Sequence, residues 1–388
     1  MDYSLDDSLQ QRLQDLEAAG RRRFARQVDS RPHGRCVIDG QELTNFGTND
    51  YLGLAHDPRV CAAFAETAGR QSGATASGLI AGRSCLHVEL ESRLAEFEEC
   101  EAALLFPTGF AANLGTIQAL VRQQDIIFSE RENHASLIDA AQGTKARVTV
   151  YCRNDLDALV AGIETSRPDY EHGFLITDGV FSMDGTVAPL RELCDIADQF
   201  RLAVVVDDAH GTGVLGPHGR GACELRRVQS RPFVHIGTLS KAVGCLGGFA
   251  AGSRHTIEWL RNQARPQFFS TALPPAVCAA ALQSLRIIES EPERRTILQE
   301  RNQLARSHAR CAGLTTIGDG EAPIVPVIVL SDKNVVAMSQ QLQKEGWFVP
   351  AIRPPTVPEG TSRFRISLTV DHEPDDIIAV LDRIAELS

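Results

Sequence analysis

Residues 202–213 read Leu202-Ala-Val-Val-Val-Asp207-Asp208-Ala-His210-Gly-Thr-Gly213, and residues 233–244 read Phe233-Val-His-Ile-Gly237-Thr238-Leu-Ser240-Lys241-Ala-Val-Gly244. Both are apolar runs of strand length that stop at a turn of small and polar residues. The first leaves a carboxylate and an imidazole, three positions apart, just past a strand end. The second leaves a lysine in a Thr/Ser/Gly turn. In open α/β sheets, ligands gather beyond the carboxyl ends of the strands, which is where both turns fall.

Working outward, short apolar runs of the same kind stand at 102–106, 125–129, 147–151, 174–177 and 248–252, most of them separated by helical stretches such as 87–99. That alternation predicts an α/β fold with a mostly parallel central sheet. Around Leu273-Pro274-Pro275 the rhythm changes. A long Arg/Glu/Ala-rich helix is expected over 276–312. Strands at 324–330, 347–351 and 363–369 and helices at 333–345 and 374–387 follow, the pattern of a smaller C-terminal α+β domain. At the other end, Leu5, Leu9, Leu13 and Leu16 recur at helical spacing and predict an amphipathic helix over 3–26. Residues 37–46 read as a hairpin with Asp39-Gly40 at its turn. The expected division is an arm over 1–50, a large domain over 51–275 and a small domain over 276–388.

The net charge of −11 argues against nonspecific binding to nucleic acid or to an anionic membrane surface. No apolar run approaches the roughly 20 residues that span a bilayer. The acidic start Met1-Asp-Tyr-Ser-Leu-Asp-Asp7 has no signal-peptide core, so the expected compartment is the cytoplasm. The ten cysteines form no Cys-x-x-Cys pair and read as reduced, mostly buried thiols, with no metal site expected.

Pyridoxal phosphate (PLP) asks a protein for an amine that can condense with its aldehyde, an anion beside the pyridine nitrogen, and donors for its phosphate. Lys241, Asp207, and Thr238 with Ser240 supply these within one 35-residue stretch. Asp207 alone could equally cap the turn that follows it, and the lysine downstream favours the cofactor reading. Phe106-Pro-Thr108-Gly109-Phe110-Ala-Ala-Asn113 joins a strand to a helix, whose first amides suit an anion. Taken alone, it is an ordinary strand-to-helix turn. His134 could stack on a cofactor ring, and Ser182 could hydrogen-bond its phenolic oxygen or His210. Arg353, beside Pro354-Pro355, could fork a carboxylate.

Together, Asn49-Asp-Tyr-Leu-Gly-Leu54, Thr108-Gly-Phe-Ala-Ala-Asn113, Gly179-Val-Phe-Ser-Met-Asp-Gly185, Asp207-Asp-Ala-His-Gly-Thr-Gly213 and Ser270-Thr-Ala-Leu-Pro-Pro275 resemble, in order, the α-oxoamine synthase family of fold-type I PLP enzymes. The resemblance covers about 21–372. Ala351-Ile-Arg-Pro-Pro-Thr-Val-Pro358 is most similar to the branch of biotin biosynthesis that joins L-alanine to a pimeloyl thioester. The resemblance implies a catalytic set of Lys241, His134, Asp207 and His210. It implies a cofactor cradle of Gly109, Phe110, Ser182, Thr238 and Ser240, with Thr271 reaching in from the second subunit of a homodimer. Arg21, Asn49, Arg353 and Thr356 match substrate-side positions. The implied partners are L-alanine and an acyl-CoA or acyl carrier protein thioester. Two features depart from the family pattern: Ser240 stands where many relatives have glycine, and the loop 72–83 is less regular. Both bear on the acyl pocket.

Rival readings are a condensation of glycine with acetyl-CoA or succinyl-CoA, a noncatalytic family subunit, and a dinucleotide-binding dehydrogenase. Noncatalytic members typically lack the lysine, which is present here. No Gly-x-Gly-x-x-Gly follows the first strand, which weakens the last.

Overall fold

The computed structural model describes residues 4–318 and 320–388. Its first strands are β1 (Asp29–Arg31), β2 (Arg35–Ile38) and β3 (Gln41–Asn45). β2 and β3 form the expected hairpin, with both turn residues at positive φ (Asp39 +52°, Gly40 +80°). A two-residue turn of that kind matches the twist of the paired strands, and Asp-Gly tolerates it.

The central sheet takes β4 (Ala102–Phe106), β5 (Ile126–Glu130), β6 (Arg147–Tyr151), β7 (Gly173–Asp178), β8 (Leu202–Asp207), β9 (Val234–Thr238) and β10 (Gly248–Gly252). Their order is β4-β10-β9-β8-β7-β5-β6. β5 to β9 run parallel, and β10 alone runs against its neighbours β4 and β9. Every residue of β5, β7, β9 and β10 is buried, because the sheet is covered on both faces. That is why these strands read as unbroken apolar runs without alternation. Each fully buried large side chain, such as Phe128 or Phe249, contributes about 1.5–3 kcal/mol. The strand directions bring the carboxyl ends of β4, β9, β8, β7 and β5 to one edge. Gly248 lets the start of β10 run close under the turn after β4: a Cβ there would lie 2.6 Å from the Thr108 carbonyl oxygen and 2.7 Å from the Gly109 Cα.

The remaining strands are β11 (Ile324–Leu330), β12 (Trp347–Phe348), β13 (Ala351–Ile352) and β14 (Ser362–Ser367). β11, β14 and β13 form a three-stranded antiparallel sheet, whereas β12 pairs in parallel with β3. The single strand expected over 347–351 is therefore two short strands in different sheets. The helix expected over 276–312 is also two, Pro275–Ser290 and Glu293–Cys311. They break at Pro292, which has no N–H to continue the ladder.

The N-terminal helix is shorter than its leucine periodicity suggested. It runs Leu5–Ala18 and stops at Gly20, whose left-handed conformation (φ +66°) closes the last turn; residue 3 lies outside the described residues. None of its residues is buried. All ten cysteines are free, as expected, but only Cys36, Cys194, Cys223 and Cys278 are buried. No helix among the described residues is long and apolar enough to cross a membrane.

Candidate active site

A cavity of about 230 Å³ opens at the carboxyl edge of the central sheet. Gly109, Phe110, His134, Ser182, Asp207, His210, Thr238, Ser240 and Lys241 line it, together with Thr108, Asn113, Ser136, Asp178, Val180 and Ala209. Side chains scattered over 130 positions meet because five strands end there.

Asp207, the last residue of β8, is buried. Its Oδ2 accepts from Asn113 Nδ2 at 2.5 Å and its Oδ1 from the Ala209 amide at 2.9 Å. The Asn113 amide also donates to Ser136 Oγ at 2.8 Å, and Ser136 Oγ lies 2.7 Å from His134 Nδ1. Asn113 and Ser136 thus tie the carboxylate to the imidazole. His134 caps the helix Ala135–Gln142, and its own amide donates to Asp178 Oδ2 at 2.9 Å. Asp178 pairs with Asp207 across β7 and β8, and burial together with that neighbouring charge pushes its carboxyl well above the usual range.

The side-chain amine of Lys241 makes no hydrogen bond or ion pair among the described residues. Its side chain opens onto the cavity while protein atoms crowd it elsewhere. That desolvation pushes the amine below the ordinary lysine value, against the pull of Asp207 and Asp178. His210 is buried, with Nδ1 2.7 Å from the Tyr51 hydroxyl. Burial, then the positive charges of Lys241 and Arg365, push it well below the usual histidine value, so the ring is neutral.

The phosphate-type cradle is local. Thr108 caps the helix Gly109–Leu120 by accepting from the Ala111 amide at 3.0 Å, and the Gly109 and Phe110 amides have no partner among the described residues. Thr238 Oγ1 sits 2.8 Å from Ser240 Oγ and donates to the Gly247 carbonyl at 2.8 Å. A Cβ at position 109 would press on Thr238 at 3.2 Å.

Five candidates lie elsewhere. Thr271 lines a separate cavity of about 30 Å³ with Arg83, His87 and Glu91. Asn49 Oδ1 accepts from Tyr51 Oη at 3.2 Å and from Arg365 Nη1 at 3.1 Å, one step behind His210. Arg21 pairs with Glu359 at 2.7 Å, Thr356 Oγ1 accepts from Arg23, and Arg353 donates to the Arg22 carbonyl at 3.1 Å. These three residues sit where the chain after the N-terminal helix meets the 353–359 loop.

Arg365 is a candidate that sequence reasoning passed over, one hydrogen bond behind Ser182 of the cavity. It is buried on β14, donates to the Ser182 carbonyl (2.5 Å), Asn49 and Ser367 Oγ (2.6 Å), and forms no ion pair among the described residues. A buried guanidinium without a carboxylate is costly unless an incoming anion completes it. Arg363 and Arg365 point to the same face of one strand, and that period-two spacing was the available signal. Asn113, four residues past Gly109 on one helix face, had a similar signal.

Three needs of PLP find their match in this cavity: an amine with no other partner, a buried carboxylate with no cationic partner, and two unpaired amides beside two hydroxyls. The side chains present fit that group.

A family model described as aminotransferase class I and II matches residues 41–384. The chain belongs to that family. It is 44% identical over 376 residues to 8-amino-7-oxononanoate synthase 2 of Bacillus subtilis, covering 96% of this chain and 95% of the relative. It is 40% identical over 385 residues to 8-amino-7-oxononanoate synthase of Symbiobacterium thermophilum, covering 99% and 98%. Among solved structures, a serine palmitoyltransferase from S. paucimobilis with a bound PLP–myriocin aldimine superposes with TM-score 0.91 at 30% identity, covering 98% of this chain and 96% of that one. An 8-amino-7-oxononanoate synthase from Francisella tularensis gives 0.78 at 26% identity, covering 89% and 97%. The fold is that of the fold-type I PLP transferases, as the sequence predicted.

Proposed function

We propose that the chain joins L-alanine to a pimeloyl thioester of CoA or acyl carrier protein. The products are 8-amino-7-oxononanoate, carbon dioxide and the free thiol. The observation that carries this reading is the meeting of Lys241 and Asp207 in one cavity, in a chain 40–44% identical over nearly its whole length to relatives of that name.

The cofactor is PLP. Lys241 would hold its aldehyde carbon, Asp207 its ring nitrogen, and Gly109, Phe110, Thr238 and Ser240 its phosphate. His134 would lie along the ring, with Ser182 and His210 near the phenolic oxygen. Bound there, the group supplies an electron sink for negative charge on the carbon next to the substrate nitrogen.

The chain supplies the rest. Lys241 Nζ takes the Cα proton of alanine; its pKa, lowered by burial, raises the fraction of amine free to do so at neutral pH. Asp207, fixed by Asn113 and the Ala209 amide, holds the positive charge that draws electrons toward the ring nitrogen. Arg365, steadied by Asn49 and the Ser182 carbonyl, receives the alanine carboxylate before it leaves as carbon dioxide. Neutral His210, held by Tyr51, hydrogen-bonds without adding charge. Lys241 then returns the proton. Arg21, Arg353 and Thr356 form the acyl-side rim.

The active unit is proposed to be a cytoplasmic homodimer, with Thr271 serving the second subunit's cavity. Exposed Ile80 and Phe269 (82% and 74% accessible) stand on adjoining elements near it, and apolar surface of that extent favours a cover.

The resemblance to a serine palmitoyltransferase favours a second amino-acid substrate for testing. Alanine, glycine and serine should be assayed against pimeloyl, acetyl, succinyl and palmitoyl thioesters. Turnover limited to alanine with the pimeloyl donor supports the proposal. A preference for serine with palmitoyl, or for glycine with a short acyl group, overturns it.

A further inference from the structure

Behind the cavity wall lies a buried cation that the chemistry above does not use. Arg153 follows the edge strand β6, and its side chain is only 7% accessible. Nη1 contacts Glu132 at 2.6 Å and Glu130 at 3.5 Å, and Nη2 contacts Asp184 at 2.5 Å. The guanidinium carbon Cζ lies 3.8 Å from the centre of the Phe181 ring.

The partners belong to two different turns. Glu132 stands two residues before His134, and Asp184 two residues after Ser182. Each turn is also braced internally. The Glu132 amide donates to Glu130, Asn133 bonds the Ile176 carbonyl and the Asp178 amide, and Asp184 Oδ1 accepts from the Thr186 amide at 3.0 Å. Among the described residues, Arg153 is the side chain that forms ion pairs with both turns. Three carboxylates around one guanidinium repel one another without it, so its loss would separate the turns rather than merely leave a gap.

We propose that Arg153 is a positioning residue for the reaction. It sets the separation of His134 and Ser182 across the cavity by clasping Glu132 and Asp184 over the Phe181 ring. The proposal rests on the PLP reading of the cavity. A lysine keeps the charge but lacks the planar fork that places separate nitrogens on Glu132 and Asp184 while lying flat on the ring, so Arg153→Lys should restore only part of the effect.

The test uses the full-length, PLP-loaded protein with Arg153→Met and Arg153→Lys. Three readouts are compared with wild type: kcat and KM for L-alanine, the visible circular dichroism of the bound cofactor, and amide hydrogen exchange over 130–137 and 179–187 in the cofactor-free protein. Arg153→Met is expected to lower kcat about 10- to 100-fold, with KM for alanine within about threefold. The visible band should weaken, and exchange should quicken at both turns. Arg153→Lys should fall between. Should Arg153→Met be insoluble, Asp184→Asn and Glu132→Gln each open one side of the clasp and are expected to move the same readouts, by less. A folded variant with wild-type kcat and an unchanged visible band overturns the proposal, whatever its exchange. If wild type itself does not turn over alanine, the substrate reading fails, while the visible band and the exchange still decide the role of Arg153.

Discussion

The cavity floor and the junction proposed as its acyl-side rim are built differently. At the floor, Asp207, Asn113 and Ser136 are joined by buried hydrogen bonds, and Ser136 carries the chain on to the more exposed His134, between strand ends and helix starts. At the proposed rim, the side chains of Arg21, Arg23 and Arg353 each make one hydrogen bond, with partners 331 to 338 positions away. Burial makes the floor rigid, and any unmatched polar group there is costly. The junction is more exposed, and its contacts are single and cheap to rearrange. Chemistry is expected to live on the floor, and substrate choice on the rim.

Changes at the floor should therefore dominate. Lys241→Ala should lower turnover by about 10³-fold or more and remove the visible absorbance of the covalently held cofactor; a coloured, active variant would break the contrast outright. Asp207→Asn should keep the cofactor yet lose about 10²-fold in kcat. Near-normal turnover would take the carboxylate out of the mechanism. Asn113→Ala, which frees one oxygen of Asp207, should cost about tenfold, measured as kcat at saturating alanine.

The pH dependence sharpens the same point. Asp207 favours the protonated form of Lys241, so Asp207→Asn should drop the amine's pKa further. The rate at which cofactor-free protein captures PLP should then rise at lower pH in the variant than in wild type. A shift toward higher pH would mean that the two groups do not face each other. Smallest of all, Arg353→Ala and Thr356→Ala should raise KM for the acyl donor about two- to fivefold with kcat intact. A large fall in kcat there would erase the distinction between floor and rim.

Much of the floor was legible in the chain because each motif is local. Val-Val-Val-Asp207 is a buried strand with its carboxylate at the end, and Thr108-Gly109 opens a helix within two residues. Strands β4, β6, β8 and β10 begin and end where their apolar runs do. Legibility failed where a contact distant in sequence decides the outcome. Trp347–Phe348 leaves its expected strand because β3 offers it a partner; the N-terminal helix is a different case, since Gly20 is a local stop signal that the leucine periodicity overshadowed. Arg365 fell inside the strand expected over 363–369, where nothing nearby in sequence singled it out. Only packing against Asn49 and Ser182 distinguishes it from Arg353.

Residue order alone fixed the parallel strands, the turns beyond their ends, and the lysine and aspartate those turns carry, since side-chain period and turn chemistry act over a few residues. Tertiary structure decided which of those turns share a cavity, that Arg365 is buried without an anion behind Ser182, and that Arg153 ties two of the turns together. Those outcomes depend on strand order and desolvation, and both are properties of the assembled sheet.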